Sequence, residues 1–159
     1  MENYLLTNDI VFDSKPDAVP YNYRISYKMA QICLIISKSC TGKAGCSLVK
    51  IHIISNALNT KECMKELEEY VDEKMSFMLV RFDPAVNRAI KFAIADNLVV
   101  QLKNGMFKLT DTGKELIRKI DKEDVMQEEK DFLKKLGFKL TNVKIEQLMS
   151  LWRYKNAEN

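Results

Sequence analysis

The chain is poor in the residues that most site chemistry needs. It holds a single histidine, His52, in 159 residues. Its four cysteines, Cys33, Cys40, Cys46 and Cys63, include no Cys-x2-Cys pair. That inventory offers no clustered ligand set for zinc, so no metal and no cofactor are expected. Five glycines and three prolines leave little room for disorder. No stretch approaches the roughly 18 apolar residues that a membrane span requires. The opening MENYLLTNDI has neither the basic start nor the apolar centre of a secretory signal, so a cytoplasmic location is expected, and no disulfide framework. Catalytic signatures are missing too. There is no H-E-x-x-H, no G-x-S-x-G, and no Gly-rich phosphate loop, since T-G-K-A-G at 41–45 lacks the required spacing. A lone histidine acting as a base would need an orienting carboxylate and a nucleophile, and the residues around His52 supply neither. The expectation is that the protein is not an enzyme and that His52 is structural.

Charge is equally modest. The 25 Lys and Arg against 22 Asp and Glu give a net charge of +3. A dedicated nucleic-acid binder usually concentrates far more positive charge on one face. The carboxylates gather as Glu66, Glu68 and Glu69, as Glu123 and Asp124, and as Glu128 and Glu129, which read as solvated helix faces. Hydrophobic residues make up 47% of the chain, enough for one domain with a proper core.

The most legible stretch is NLVVQLKNGMFKLTDTGKELIRKI, residues 97–120. Leu98 to Leu102 suits a strand. Asn104-Gly105 tolerates positive φ at both central positions of a hairpin turn. Met106 to Leu109 returns, and Thr110 caps a helix carrying Leu116, Ile117 and Ile120 on one face. Upstream, Asp83 is an N-cap candidate and Pro84 suits a first helical turn. Val86, Ala89, Ile90, Ala93 and Ile94 then recur at helical spacing over 84–96. Helix, hairpin, helix is the order of a winged helix-turn-helix from its third helix onward.

Residues 1–20 read as an N-terminal arm with two short apolar patches, YLL and IVF. Residues 21–39 form a helix that is apolar nearly all round, hence buried: Ile25, Met29, Ile32, Cys33, Ile36, with Leu34 and Ile35 widening the stripe. Cys33 is a core thiol on this reading. Cys40 and Cys46 flank the next loop, where a redox role is the minor alternative. A second helix spans Cys46 to Leu58, with Leu48, Ile51, Ile54 and Leu58 inward. Thr60 caps a third over 61–73, acidic outside at Glu62, Glu66, Glu68 and Glu69. Phe77 to Phe82 alternates as a strand would. Beyond Ile120 two further helices flank Gly137, one with Phe132, Leu133 and Leu136, the other with Val143, Leu148, Leu151 and Trp152. The expected fold class is α+β: a mostly helical winged helix-turn-helix-like domain over 21–122, a β-hairpin wing, and a C-terminal helical extension over 123–159. The expected core includes Ile32, Ile36, Leu48, Ile51, Ile90, Ile94, Leu98 and Leu116.

A recognition helix needs an exposed polar face with flanking positive residues. Over 84–96 that face is narrow: Asn87, Arg88 and Lys91, with Asp83 and Asp96 offsetting the two positive charges. The wing adds Gln101, Lys103 and Lys108. Weak backbone contact through Asn87, Arg88, Lys91, Lys103 and Lys108 is the alternative, but an apolar third helix fits protein docking better. Trp152, Arg153 and Tyr154 near the C-terminus are of the types enriched at binding hot spots.

Three segments carry a family resemblance: NYRISYKMAQICLIISKSC, LVKIHIISNAL, and RFDPAVNRAIKFAIADNLVVQLKNGMFKLTDTGKELIRKI. Together, over about residues 20–122, their order resembles the middle component of bacterial ABC-three-component systems, the group that includes Lamassu-type anti-phage defence. The motifs are the Y-R-I helix opening, R-x-D-P-x-x-x-R-A-I and L-T-x-x-G-x-x-L-I. The resemblance implies a small winged-helix accessory subunit without catalysis. Its implied partners are an SMC-like coiled-coil ATPase and an effector subunit, often a nuclease, with DNA reached through the complex. Arg81, Asp83, Pro84 and Arg88 match the R-x-D-P-x-x-x-R segment, so the partner-binding candidates are Arg81, Arg88, Lys91, Trp152, Arg153 and Tyr154. The alternative is a winged-helix transcription regulator of the MarR or PadR kind, which shares the L-T-x-x-G exit and dimerises through terminal helices.

Overall fold

The structure, a computed structural model, describes residues 24–157. The arm expected over 1–20 and the residues just before Arg24 lie outside them. Within the described residues the chain forms α1 (Ile25–Ser39), α2 (Leu48–Ala57), α3 (Lys61–Val71), α4 (Pro84–Ala95), β1 (Val99–Gln101), β2 (Phe107–Leu109), α5 (Asp111–Lys122), α6 (Gln127–Leu136) and α7 (Asn142–Ala157). This is a mostly helical α+β arrangement with one small antiparallel sheet.

The caps follow from sequence chemistry. Ser47, Thr60 and Thr110 each accept a backbone N–H three residues on, from Lys50, Cys63 and Gly113. Asp83 accepts from Ala85 N at 2.9 Å, with Pro84 at the first helical position. α4 stops in a Schellman motif. Asn97 is left-handed (φ 57°), its N–H reaches Ile94 O, and Leu98 N reaches Ala93 O at 2.8 Å. That motif aims the chain into β1.

β1 and β2 pair with Val99 opposite Leu109 and Gln101 opposite Phe107. The turn differs from the expected two-residue type. Lys103-Asn104-Gly105 forms a three-residue loop, closed by Gly105 N to Leu102 O at 2.9 Å and Leu102 N to Met106 O at 2.8 Å. Only Gly105 is left-handed, with φ 83°. Asn104 serves through its side chain instead, accepting from Met106 N at 3.1 Å. Gly113 is required by close approach: a Cβ there would sit 2.1 Å from Leu98 O. The hairpin therefore rests directly on the first turn of α5.

α1 runs through the middle of the core. Ile32, Cys33, Leu34 and Ile35 are fully buried, as the all-round apolar pattern predicts. Even Lys28 and Gln31 are buried. Phe132, Leu133, Leu136, Leu140, Ile145 and Leu148 belong to the same hydrophobic cluster, so the expected extension packs into the core of the rest. Of the expected core, Ile32, Ile36, Ile51 and Ile90 are buried, and Leu98 and Leu116 are partly so. Leu48 and Ile94 are corrections, 40% and 39% exposed. Leu48 opens α2 at its exposed first turn, and Ile94 lies in the last turn of α4 beside fully buried Ala93, on the side turned to solvent. Val143 and Leu151 also face out on α7.

Phe77 to Phe82 is not a strand. It is irregular, with no ladder partner among the described residues, yet burial alternates: Met78 and Val80 are inside, Leu79 and Phe82 outside. The pattern was real, and side-chain packing alone meets it. The carboxylate runs are less solvated than expected. Glu68 pairs with Lys135 at 2.8 Å, and buried Glu129 accepts from the Tyr27 hydroxyl. Cys40 and Cys46 form a disulfide, against the expectation of no framework. Their Cα atoms are 5.5 Å apart because the loop folds back between α1 and α2.

Candidate docking surface

α4 is amphipathic. Val86, Ala89, Ile90 and Ala93 are buried, while Asn87, Arg88, Lys91, Phe92 and Ala95 form the exposed stripe. Phe92 is 52% exposed. An aromatic side chain left half in water on a regular helix forgoes roughly a kcal/mol or more of burial. On the adjoining hairpin Val100 is exposed, as are Gln101 and Lys103, while Lys108 is half-buried. The face thus combines exposed apolar and basic side chains.

Asn87 is engaged inward. Its Oδ1 lies 3.0 Å from His52 Nε2 on buried α2. The His52 ring meets Phe82 with centroids 4.9 Å apart, and Phe82 meets Trp152 edge-on at 5.4 Å. A continuous chain of Asn87, His52, Phe82 and Trp152 thereby links α4, α2, the 77–82 segment and α7. Trp152 packs on its own domain with Nε1 buried and without a hydrogen-bond partner, whereas Arg153 and Tyr154 are exposed, Tyr154 by 65%. Lys155 covers the Phe77 ring at 3.9 Å. Arg81 has an exposed side chain, and its backbone N–H donates to Asn56 Oδ1 at 3.2 Å.

Of the candidate residues, Arg88 and Lys91 share the α4 stripe, while Arg153 and Tyr154 sit outward on α7. The structure does not merge the two groups; their neighbours Asn87 and Trp152 are joined through His52 and Phe82. Phe82 and Phe92 were not singled out in the sequence, although the 84–88–91–92–95 spacing was sufficient to put Phe92 beside Arg88 and Lys91.

A buried polar layer joins α1 to α2 and the turn after it. Lys28 Nζ reaches Gln31 Oε1 and Asn59 Oδ1 at 3.5 Å each, and Ser55 donates to Gln31 Oε1 at 3.0 Å. Burial lowers the Lys28 pKa below the usual lysine value, partly opposed by Asp83. Burial pushes the Cys33 thiol up to about 12, which makes it inert. A groove of about 990 Å³ between the 73–76 loop and α7 is lined by Tyr70, Glu73, Met75, Val143, Gln147 and Leu151. The Tyr70 hydroxyl donates to Lys144 O at 2.6 Å on its edge. No group of three or more metal-ligating side chains occurs among the described residues, and none of their helices is long and apolar enough to cross a membrane.

Compared with protein-family models, curated proteins and solved structures, the chain matches none.

Proposed function

We propose that the chain is a winged-helix accessory subunit, without catalysis of its own, that docks an SMC-like coiled-coil ATPase and an effector in a bacterial anti-phage defence complex. The winged-helix reading draws on the order α1, α2, α3, α4, hairpin, α5. It draws also on a feature outside the named strands: Cys46 and Phe107 form an antiparallel bridge, exchanging hydrogen bonds at 2.8 Å in both directions. A winged helix places a short strand between its first two helices against the hairpin, and Cys46 occupies that place. The assignment of partners rests on the resemblance of residues 20–122.

The single observation that carries docking over DNA reading is the α4 stripe. Its one amide, Asn87, is bonded to His52, and the stripe offers exposed Phe92 between Lys91 and Ala95. Base edges are read by free amides and guanidinium groups, and an aromatic of this exposure is a protein-interface feature. The second reading, a DNA-binding regulator of the MarR or PadR kind, draws on the exposed Arg88, Lys91 and Lys103. Co-purification of the full chain with a coiled-coil ATPase and effector of the proposed kind, set against duplex binding at two salt concentrations, tests the choice. Assembly with weak, salt-sensitive DNA binding supports docking. Tight sequence-selective binding at physiological salt overturns it.

A further inference from the structure

We propose that Cys40 and Cys46 form a thiol–disulfide exchange site whose oxidation state sets how firmly the hairpin is held to the helical body. Cys40 is the residue that ends α1, and Cys46 is bonded through its backbone to Phe107 of β2. The disulfide is therefore the covalent tie between the central helix and the strand flank of the hairpin. Gly45 strengthens the joint. It is left-handed (φ 77°), and a Cβ there would meet Phe107 O at 3.0 Å and Met106 Cβ at 3.1 Å.

Access is asymmetric. Both cysteines are buried, Cys46 fully and Cys40 6% exposed, and of the two it is Cys40 that lines two cavities. One, of about 440 Å³, lies beside the hairpin against Val100, Leu102 and Lys108. The other, of about 180 Å³, lies toward Lys50 and Phe138. Cys40 is thus the sulfur an incoming thiolate reaches, and Cys46 is the leaving group. A dithiol reductant attacks Cys40 Sγ, the sulfur–sulfur bond breaks, and Cys46 Sγ departs with the electron pair and takes up a proton. The reductant's second thiolate then attacks the mixed disulfide, releasing Cys40 as a thiolate that is protonated in turn. Two electrons and two protons pass to the protein, and the reductant closes its own disulfide. A disulfide oxidant reverses the sequence. Cys33, buried without a partner cysteine, takes no part. The switch operates whatever the α4 surface binds.

The test uses the full chain carrying Cys63→Ser, equilibrated with oxidised glutathione, then treated with dithiothreitol and trapped with iodoacetamide. Peptide mass mapping is read beside amide hydrogen exchange. The expected result is labelling of Cys40 and Cys46 while Cys33 stays unlabelled. Exchange should speed up by about tenfold over 41–47 and 99–109, with α1 and α4 unchanged. A variant carrying Cys40→Ser and Cys46→Ser should show the fast pattern with or without reductant. The idea is overturned if the pair is unbonded after glutathione oxidation. It is overturned if Cys40 and Cys46 label only together with Cys33, which marks global opening. It is overturned equally if reduction, or the double variant, leaves hairpin exchange at the oxidised rate.

Discussion

Replacing Gly113 with alanine tests whether the hairpin sits on α5 as described. The new Cβ would lie 2.1 Å from Leu98 O, where ordinary contact begins at 3.4 Å, so the two segments must part by more than an ångström. Leu98 O also accepts from Thr110 N at 3.0 Å, and parting weakens that bond. Overpacking costs about 1–3 kcal/mol, and a strained hydrogen bond about 1 kcal/mol. Alanine returns up to about 1 kcal/mol of helix propensity. The net expectation is a loss of about 2 kcal/mol, or roughly 4–8 °C in Tm for a chain of this size. Urea unfolding followed by circular dichroism measures it. Gly42→Ala is the control, since nothing lies within 4 Å of its Cβ position and its φ is not in the left-handed range. It should be neutral or gain about 0.4–1 kcal/mol. If Gly113→Ala matched the wild type or exceeded it, the docking of the hairpin on α5 would be wrong.

Ile32→Ala and Ile90→Ala, 0% and 4% exposed, should each cost about 2–5 kcal/mol in the same assay. Ile94→Ala should stay within about 0.5 kcal/mol, and a large loss there would refute its outward placement. Two alkaline effects should oppose each other in plots of unfolding free energy against pH. Lys28, held below its usual 10.5, sheds its proton earlier in the folded state, so stability rises with pH in the window below 10.5, and Lys28→Met should flatten that rise. Cys33, raised from 9.0 to about 12, keeps its proton longer when folded, so stability falls from about pH 9 to 12, and Cys33→Ala should remove that fall. The isolated chain should bind duplex DNA weakly, with affinity dropping steeply between 50 and 200 mM salt (approximate working values) and no preference for sequence.

Much of this was legible because local chemistry and tertiary packing agree. Asp83-Pro84, Thr60 and Thr110 start helices where their side chains can cap, and the apolar band of α1 marks a central helix. The hairpin was legible from Asn104-Gly105, though the roles of the two residues differ from a two-residue turn, because periodicity does not specify loop length. Phe77 to Phe82 shows the limit from the other side: alternating burial arises wherever an extended chain lies on a core, with or without a ladder. The Cys40–Cys46 pairing was hidden because six residues of separation say nothing about whether the loop folds back. Trp152 was placed on the apolar stripe of the last helix by spacing, but its ring partner Phe82 is long-range, and spacing along α7 does not reveal it. The outward faces of Arg88 and Lys91 could be read from helical spacing, and Arg153 and Tyr154 were picked by residue type, while the chain from Asn87 to His52 could not be read.

The most direct test of the docking role is assembly with Phe92→Glu and Arg88→Glu variants of the full chain. Each would be co-expressed with a coiled-coil ATPase and effector of the proposed kind and followed by affinity pull-down, with a thermal melt of each variant alone. Both residues are exposed, so the melts should stay within about 2 °C of the wild type. The account predicts that the wild type carries its partners through purification and that Phe92→Glu loses them, with Arg88→Glu weakened. Full assembly by both folded variants, or no assembly by the wild type, would contradict it.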